Sequence, residues 1–181
     1  MEALLSQIVS VAFHGTAFGM ILYVISVGLS VTMGLMNFIN LAHGAFAMLG
    51  GYVCAWLVRL NDWPFVWGLI AAVLVTGVVG ALLEVLVLRR LYRRGELQQV
   101  LFTIGLTFLM IATVNLLWGP EVQLIPLPAW LSAPVDLGFR TLPAQRLLVL
   151  GAGVLVVLLS AWVMHFTRFG IWLRAAVDNT A

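Results

Sequence analysis

The sequence contains five apolar stretches that are each long enough to cross a lipid bilayer as an α-helix. They cover residues 8–31, 35–58, 64–88, 100–118 and 146–166. A helix rising about 1.5 Å per residue needs about 20 apolar residues to cross about 30 Å of hydrocarbon. Hydrophobic residues make up 63% of the chain and charged residues 9%, which excludes a soluble globular or a disordered protein. We therefore predict an all-α fold, a polytopic transmembrane helical bundle of about five spans surrounded by membrane lipid.

The arginines predict how this bundle is oriented. All nine basic residues are arginines, and four of them lie between residues 89 and 94. Basic residues in short loops stay on the cytoplasmic side, so we expect the connection 89–99 to be cytoplasmic. Alternation of five spans then puts the N-terminus outside and the C-terminus in the cytoplasm. Because the basic residues are confined to the edges of the membrane, the charge pattern excludes a nucleic-acid-binding protein.

The longest connection, residues 119–145, holds five of the six prolines. Proline at this density prevents a long helix. We expect an ordered loop on the outer, periplasmic side, in which residues 135–142 (VDLGFRTL) form a short hairpin.

The second stretch carries polar and small residues on one side. If it is a helix with 100° per residue, one sector about 140° wide collects these residues. They are Asn37, Asn40, His43, Gly44, Ala47, Gly50 and Gly51. Such a face can either join helices by packing and hydrogen bonds or line a pathway for a polar solute. We interpret it as a pathway lining formed by Asn37, Asn40, His43, Gly44, Gly50 and Gly51, and leave open whether 35–45 is a continuous helix or a re-entrant break.

Glu84 lies about one turn inside the arginine cluster, near the end of the third stretch. We expect its carboxylate to pair with a nearby arginine. The alternative is a proton or ion site, although no second acidic residue lies in a span to form a relay.

Residue patterns typical of enzymes or metal sites do not occur in the sequence. Cys54 is the single cysteine, and neither His-Glu-x-x-His nor Gly-x-Ser-x-Gly is present. We predict no enzyme activity, no metal and no cofactor.

The run GLSVTMGLMNFINLAHGAFAMLGGYV, residues 28–53, resembles the signature of permease subunits of branched-chain amino acid ABC importers, the LivH-like family. The core of the resemblance is NLAHG at 40–44, followed by GGY at 50–52. Glu84 with Arg89, then TIGL at 103–106 and WGP at 118–120, agree with the family in order and spacing.

The tail TRFGIWLRAAVDNTA, residues 167–181, resembles the start of the cytoplasmic loop through which such permeases contact their ATPases. The resemblance implies that Phe169, Gly170, Arg174 and Asp178 couple the chain to an ATPase. Ile171 and Trp172 replace an Arg-Ala pair of the family pattern. The alternative is a basic helix that lies beside the membrane without such a contact.

The resemblance implies a function for the whole chain as a single transmembrane permease domain, residues 1–181. That function is the import of branched-chain amino acids across the inner membrane, with two cytoplasmic ATP-binding subunits, a second related permease and a periplasmic solute-binding protein as partners. Alternatives are a permease for urea, short amides or other amino acids, and a channel or secondary transporter not coupled to ATP. Permeases of the family continue beyond this length, so we expect a fragment of a longer permease, the alternative being a truncated, inactive product.

Overall fold

The computed structural model describes residues 2–36, 38–136, 141–167 and 170, and these residues are mostly helical. The helices are α1 (Glu2–Met36), α2 (His43–Leu60), α3 (Phe65–Leu83), α4 (Arg89–Leu91), α5 (Glu96–Trp118), α6 (Ala129–Ser132) and α7 (Ala144–Phe166). One π-helical turn, Glu84–Leu88, joins α3 to α4 without a break.

Four helical segments of the described chain have the length and apolar composition needed to cross a membrane. They are Gln7–Met33, Phe65–Leu91, Glu96–Trp118 and Ala144–Phe166. The predicted all-α transmembrane bundle is thereby confirmed. A fifth span would require α2 to cross as well, and its 18 residues reach about 27 Å at 1.5 Å per residue. The count of five spans and the orientation of the termini stay predictions.

The outer faces of the long helices carry apolar side chains that no other part of the described chain covers. Leu116 is 85% exposed, and Leu74 and Val78 on α3 are 63% and 58% exposed. A helix that is apolar on all sides needs an apolar surrounding. The hydrocarbon of a membrane is such a surrounding. A helix can enter it because its backbone N–H and C=O groups are hydrogen-bonded within the helix.

The end of α5 follows from a Gly-Pro pair. Gly119 has a φ of 86°, a left-handed conformation in which glycine has no steric penalty, and its N–H donates to the carbonyl of Asn115 at 2.9 Å. Pro120 follows and cannot continue the helical hydrogen bonds. Helix α5 ends at Trp118, the residue at which the fourth span is predicted to end.

The chain divides into two compact units, of which one is Val31–Leu127. Within it, α2 packs against α3 and also against α5. Gly68 permits the close approach of α3, because a Cβ built there would lie 2.5 Å from Cγ2 of Val58. Val58 belongs to a buried cluster with Val53, Cys54 and Ala72.

The other unit contains the described residues of 1–30 and those from 128 onward. Here α1 and α7 meet at Gly153, where a Cβ would lie 2.6 Å from Cβ of Met20. The hydroxyls of Tyr23 and Ser160 share a hydrogen bond of 3.0 Å.

This second unit also contains a small antiparallel hairpin. Strands β1 (Pro134–Asp136) and β2 (Thr141–Pro143) pair with Val135 opposite Leu142. The predicted hairpin over 135–142 is confirmed for the residues that the structure describes.

Candidate functional site

Residues 38–42, which precede α2, are not helical. Residues 38–40 have no regular secondary structure and Leu41–Ala42 form a turn, so α2 begins at His43. The prediction of one span over 35–58 is therefore wrong at its start, and the break left open for 35–45 is what the structure contains. The local cause is Asn40, whose side-chain Oδ1 accepts the N–H of Ala42 at 3.1 Å. An Asn side chain that bonds its own backbone two residues on competes with the helix and favours a turn.

Helix α5 supplies side-chain partners for the backbone of Ile39 in the break. The N–H of Ile39 donates to Oε1 of Gln99 at 3.4 Å, and the Thr103 hydroxyl lies 3.4 Å from the carbonyl of Ile39. Gln99 is 4% exposed and Thr103 0% exposed. Gln99 also donates from Nε2 to the carbonyl of Arg94 at 3.0 Å. Buried backbone groups in lipid must find such partners, so these two side chains allow a non-helical segment here.

Apolar contacts hold the break in place. Phe38 is 2% exposed and Ala42 0% exposed, in a cluster with Leu88 from the π-helical turn and Leu106 from α5. The rings of Phe38 and Tyr92 meet edge to face, with centroids 5.0 Å apart. The break is thus packed against the π-helical turn and α5 through Phe38 and Ala42, while Leu41 is 44% exposed.

A cavity of about 610 Å³ lies between α2 and the helix formed by α3 and its π-helical turn. The break and α2 contribute Asn40, His43, Ala47, Gly50 and Gly51 to its wall. Most of the remaining wall is apolar, with Phe46, Phe65, Leu69, Val73, Leu88 and Ile125. The cavity therefore combines a few hydrogen-bonding groups with a largely apolar surface.

The facing wall comes from residues spaced four apart along one helix. They are Ala72, Thr76, Gly80 and Glu84, which lie on one face because a helix turns once every 3.6 residues. Gly50 fits closely against Thr76, since a Cβ at Gly50 would lie 3.1 Å from its Oγ1. That Oγ1 is buried and has no hydrogen-bond partner among the described residues.

Glu84 accepts a hydrogen bond from the Tyr92 hydroxyl through Oε1. The expected pairing with an arginine is wrong for the described residues, where no arginine lies within ion-pair distance of this carboxylate. Tyr92 takes this role because the π-helical turn that starts at Glu84 shifts the register of the residues beyond it. Burial has the largest effect on the pKa of Tyr92 and raises it far above its usual value, and the hydrogen bond to Glu84 and the charge of Glu84 raise it further. The charge of Arg89 opposes this increase. Tyr92 therefore keeps its proton and remains a donor.

The segment after α5 covers one end of the cavity. Tyr52 donates to the carbonyl of Glu121 at 3.2 Å, and Arg59 donates to Oε1 of Gln123 at 2.8 Å. These bonds hold the segment along α2 and bring Ile125 into the cavity wall.

Comparison with known families identifies the chain. The model of the family described as "branched-chain amino acid transport system / permease component" matches residues 11–181. The chain belongs to this permease family.

One relative of the permease is the "Probable branched-chain amino acid transport permease protein LivH" of Methanocaldococcus jannaschii. The two sequences are 24% identical over 164 residues, which cover 88% of this chain and 51% of the relative. The chain thus spans about half the length of that protein. No solved structure matches it.

Most of the predicted pathway residues meet in the permease's cavity. Asn40, His43, Gly50 and Gly51 line it, while Gly44 is not among the described residues of its wall. Asn37 lies outside the described residues. The pathway role of all six stays a prediction.

The predicted ATPase-contact residues Phe169, Arg174 and Asp178 also lie outside the described part of the permease. Gly170 is described, and its N–H lies 3.4 Å from Oγ1 of Thr167. A side chain at Gly170 would collide with the backbone of Met164.

Sequence reasoning missed the α3 wall of the permease's cavity. The signal was the small or polar residue at every fourth position, 72, 76, 80 and 84, in an otherwise bulky apolar helix. No group of three or more His, Cys, Asp or Glu residues that could hold a metal occurs among the described residues.

We predict that the break in the permease depends on α5. The Thr103 hydroxyl lies 3.4 Å from the Ile39 carbonyl and also 3.0 Å and 3.1 Å from the carbonyls of Gln99 and Val100, so these three acceptors share its one proton. Thr103→Val removes this shared donor, and an unsatisfied buried group costs about 1–3 kcal/mol. The free energy of unfolding in detergent should fall by this amount, and Gln99→Leu should act similarly. Thr113→Val is the matched control, because that hydroxyl is exposed and bonds only within α5. An equal loss in the control would contradict a supporting role for Thr103.

Proposed function

We propose that this chain is a membrane-embedded permease subunit of an ABC importer, and that it moves branched-chain amino acids across the inner membrane. The observation that carries the proposal is the cavity that gathers Asn40, His43, Gly50 and Gly51 opposite α3. Polar groups inside the hydrocarbon region are costly and mark solute pathways. Family membership supports a transport role for this cavity.

The cavity lining supports a solute with an apolar side chain. A wall made mostly of apolar side chains gains free energy by covering apolar surface, and urea and short amides have little of it. Asn40 and His43 offer the hydrogen bonds that the polar end of an amino acid requires.

The proposed partners are a second related permease, two cytoplasmic ATP-binding subunits and a periplasmic solute-binding protein. In this proposal ATP is hydrolysed in the partner subunits, and the chain itself carries no catalytic residue. The region from Gly170 to Asp178 receives the movement of the ATP-binding subunits and passes it to the helices around the cavity. Alternating access is then a shift between two packed states, each favoured by a different partner.

We predict that His43→Leu lowers the initial rate of leucine uptake about fivefold, the effect of losing one hydrogen bond worth about 1 kcal/mol. Uptake of radiolabelled leucine is measured in vesicles that contain the complete transporter, with the amount of inserted protein determined in parallel. His165→Leu is the matched control, because this histidine is exposed on α7 and bonds the carbonyl of Ala161. Unchanged uptake by His43→Leu would favour the helix-packing interpretation of the polar face.

We predict that Arg174→Glu uncouples ATP hydrolysis from uptake, because it reverses a charge in the proposed contact with the ATP-binding subunit. Hydrolysis and uptake are measured on the same vesicles, and their ratio should rise. Arg146→Glu makes the same charge change at the start of α7 and should leave the ratio unchanged. Full coupling in Arg174→Glu would refute the proposed contact. If uptake by the wild-type protein is driven by a proton gradient instead of ATP, the result would favour a secondary transporter.

A further inference from the structure

Glu84 is the one carboxylate among the described residues of the cavity wall, and those residues include no lysine or arginine. Its neighbours there are largely apolar side chains and glycines. A carboxylate in such surroundings is costly unless a counter-charge or several hydrogen bonds compensate it. The described residues give Glu84 one neutral donor, the Tyr92 hydroxyl.

The space beside Glu84 is kept open by residues without bulk. Gly80 precedes it by one helical turn, and Gly77 lies beside Gly80 in the same wall. A Cβ at Gly77 would meet nothing within 4 Å, and one at Gly80 would approach only the ring of Phe46 at 3.8 Å. A ligand group can therefore approach the carboxylate along this face of the helix.

The carboxylate is also held in position. Tyr92 binds one of its oxygens, and the Tyr92 ring is itself fixed by its edge-to-face contact with Phe38 in the buried break. The second oxygen has no protein partner among the described residues, so it remains available to a ligand. A charged acceptor that is already oriented loses little freedom when it binds a donor.

We propose that Glu84 binds the ammonium group of the solute and so selects solutes that join a primary ammonium to an apolar side chain. This inference rests on the proposed function and assigns its specificity to one residue. The ammonium supplies a counter-charge in direct contact with Glu84, which no arginine among the described residues provides, and the apolar body covers the nearby wall formed by Phe46 and Leu88. Asn40 and His43 are left to bind the carboxylate end of an amino acid.

The test is competition binding to the transporter purified with its partner subunits and without the solute-binding protein. Radiolabelled L-leucine is the probe. The competitors share its branched apolar body, but 3-methylbutylamine keeps only the ammonium and 4-methylpentanoate keeps only the carboxylate. In wild type the amine should displace leucine, and Glu84→Gln should weaken that displacement by roughly 10- to 100-fold. Competition by 4-methylpentanoate should not change.

Glu96→Gln is the matched control, because it removes an exposed carboxylate at the start of α5 and should alter neither competition.

A second measurement needs no variant. In the wild-type protein, 3-methylbutylamine should slow the modification of Glu84 by dicyclohexylcarbodiimide, which is measured by mass spectrometry. The proposal is overturned by equal amine competition in wild type and Glu84→Gln, by absence of leucine binding to wild type, or by modification that the amine does not slow.

ATP-driven leucine uptake by the same wild-type transporter separates this inference from the proposed function. If the transporter takes up leucine but Glu84→Gln does not affect amine binding, the proposed role of Glu84 is refuted and the proposed transport function is not. Amine binding that depends on Glu84 in a transporter without uptake refutes the transport proposal and supports the site.

Discussion

The need to satisfy backbone hydrogen bonds away from water governs the arrangement around the break between α1 and α2. Each unpaired N–H or C=O in hydrocarbon costs several kcal/mol, which is why spanning segments are normally continuous helices. Here Gln99 and Thr103 of α5 reach the backbone of Ile39, and Asn40 satisfies Ala42. The break can exist because α5 packs beside it. It ends at Ala42, and α2 starts at the next residue, His43.

The cavity depends on this start of α2. Beginning at His43 puts Asn40 and His43 at one end of the cavity wall and brings Gly50 against Thr76 of α3. Small residues on both helices leave a space of about 610 Å³, and the surrounding apolar side chains keep its surface suited to an apolar solute. The π-helical turn then orients Glu84 toward Tyr92, so that this carboxylate lies in the wall with no arginine of the described chain within ion-pair distance. Polarity is thus concentrated at a few positions of an apolar helix pair.

Much of the fold follows from the sequence, because length and hydropathy determine which segments can cross a membrane. The end of α5 was predictable from Gly119 and Pro120, and the polar residues that now line the cavity were recognised by their cost in lipid. The break was not predicted as such, since assigning a face at 100° per residue assumes an unbroken helix. Its stability depends on Gln99 and Thr103, which are about 60 residues away in the chain and unremarkable in an apolar helix.

Other features needed the geometry of neighbouring elements. Thr76 and Gly80 become part of a site only once α3 is seen to face α2. Glu84 was expected to pair with an arginine because four lie close in sequence, but the π-helical turn brings the Tyr92 hydroxyl to it instead. Whether the chain has four or five spans depends on α2, whose 18 residues are only just long enough to cross the hydrocarbon.

The most direct test of the account is whether water reaches the α3 wall of the cavity. With Cys54 replaced by alanine, single cysteines are introduced at Thr76 and Gly80, which line the cavity, and at Leu74 and Val78, which are 63% and 58% exposed on the outer side of the same helix. The rate of modification by a membrane-impermeant thiol reagent is measured in vesicles that contain the complete transporter. We expect fast modification at 76 and 80, because water fills the cavity, and slow modification at 74 and 78, because lipid covers that side of the helix. Equal rates at all four positions, or faster modification at 74 and 78, would contradict a hydrated passage between α2 and α3.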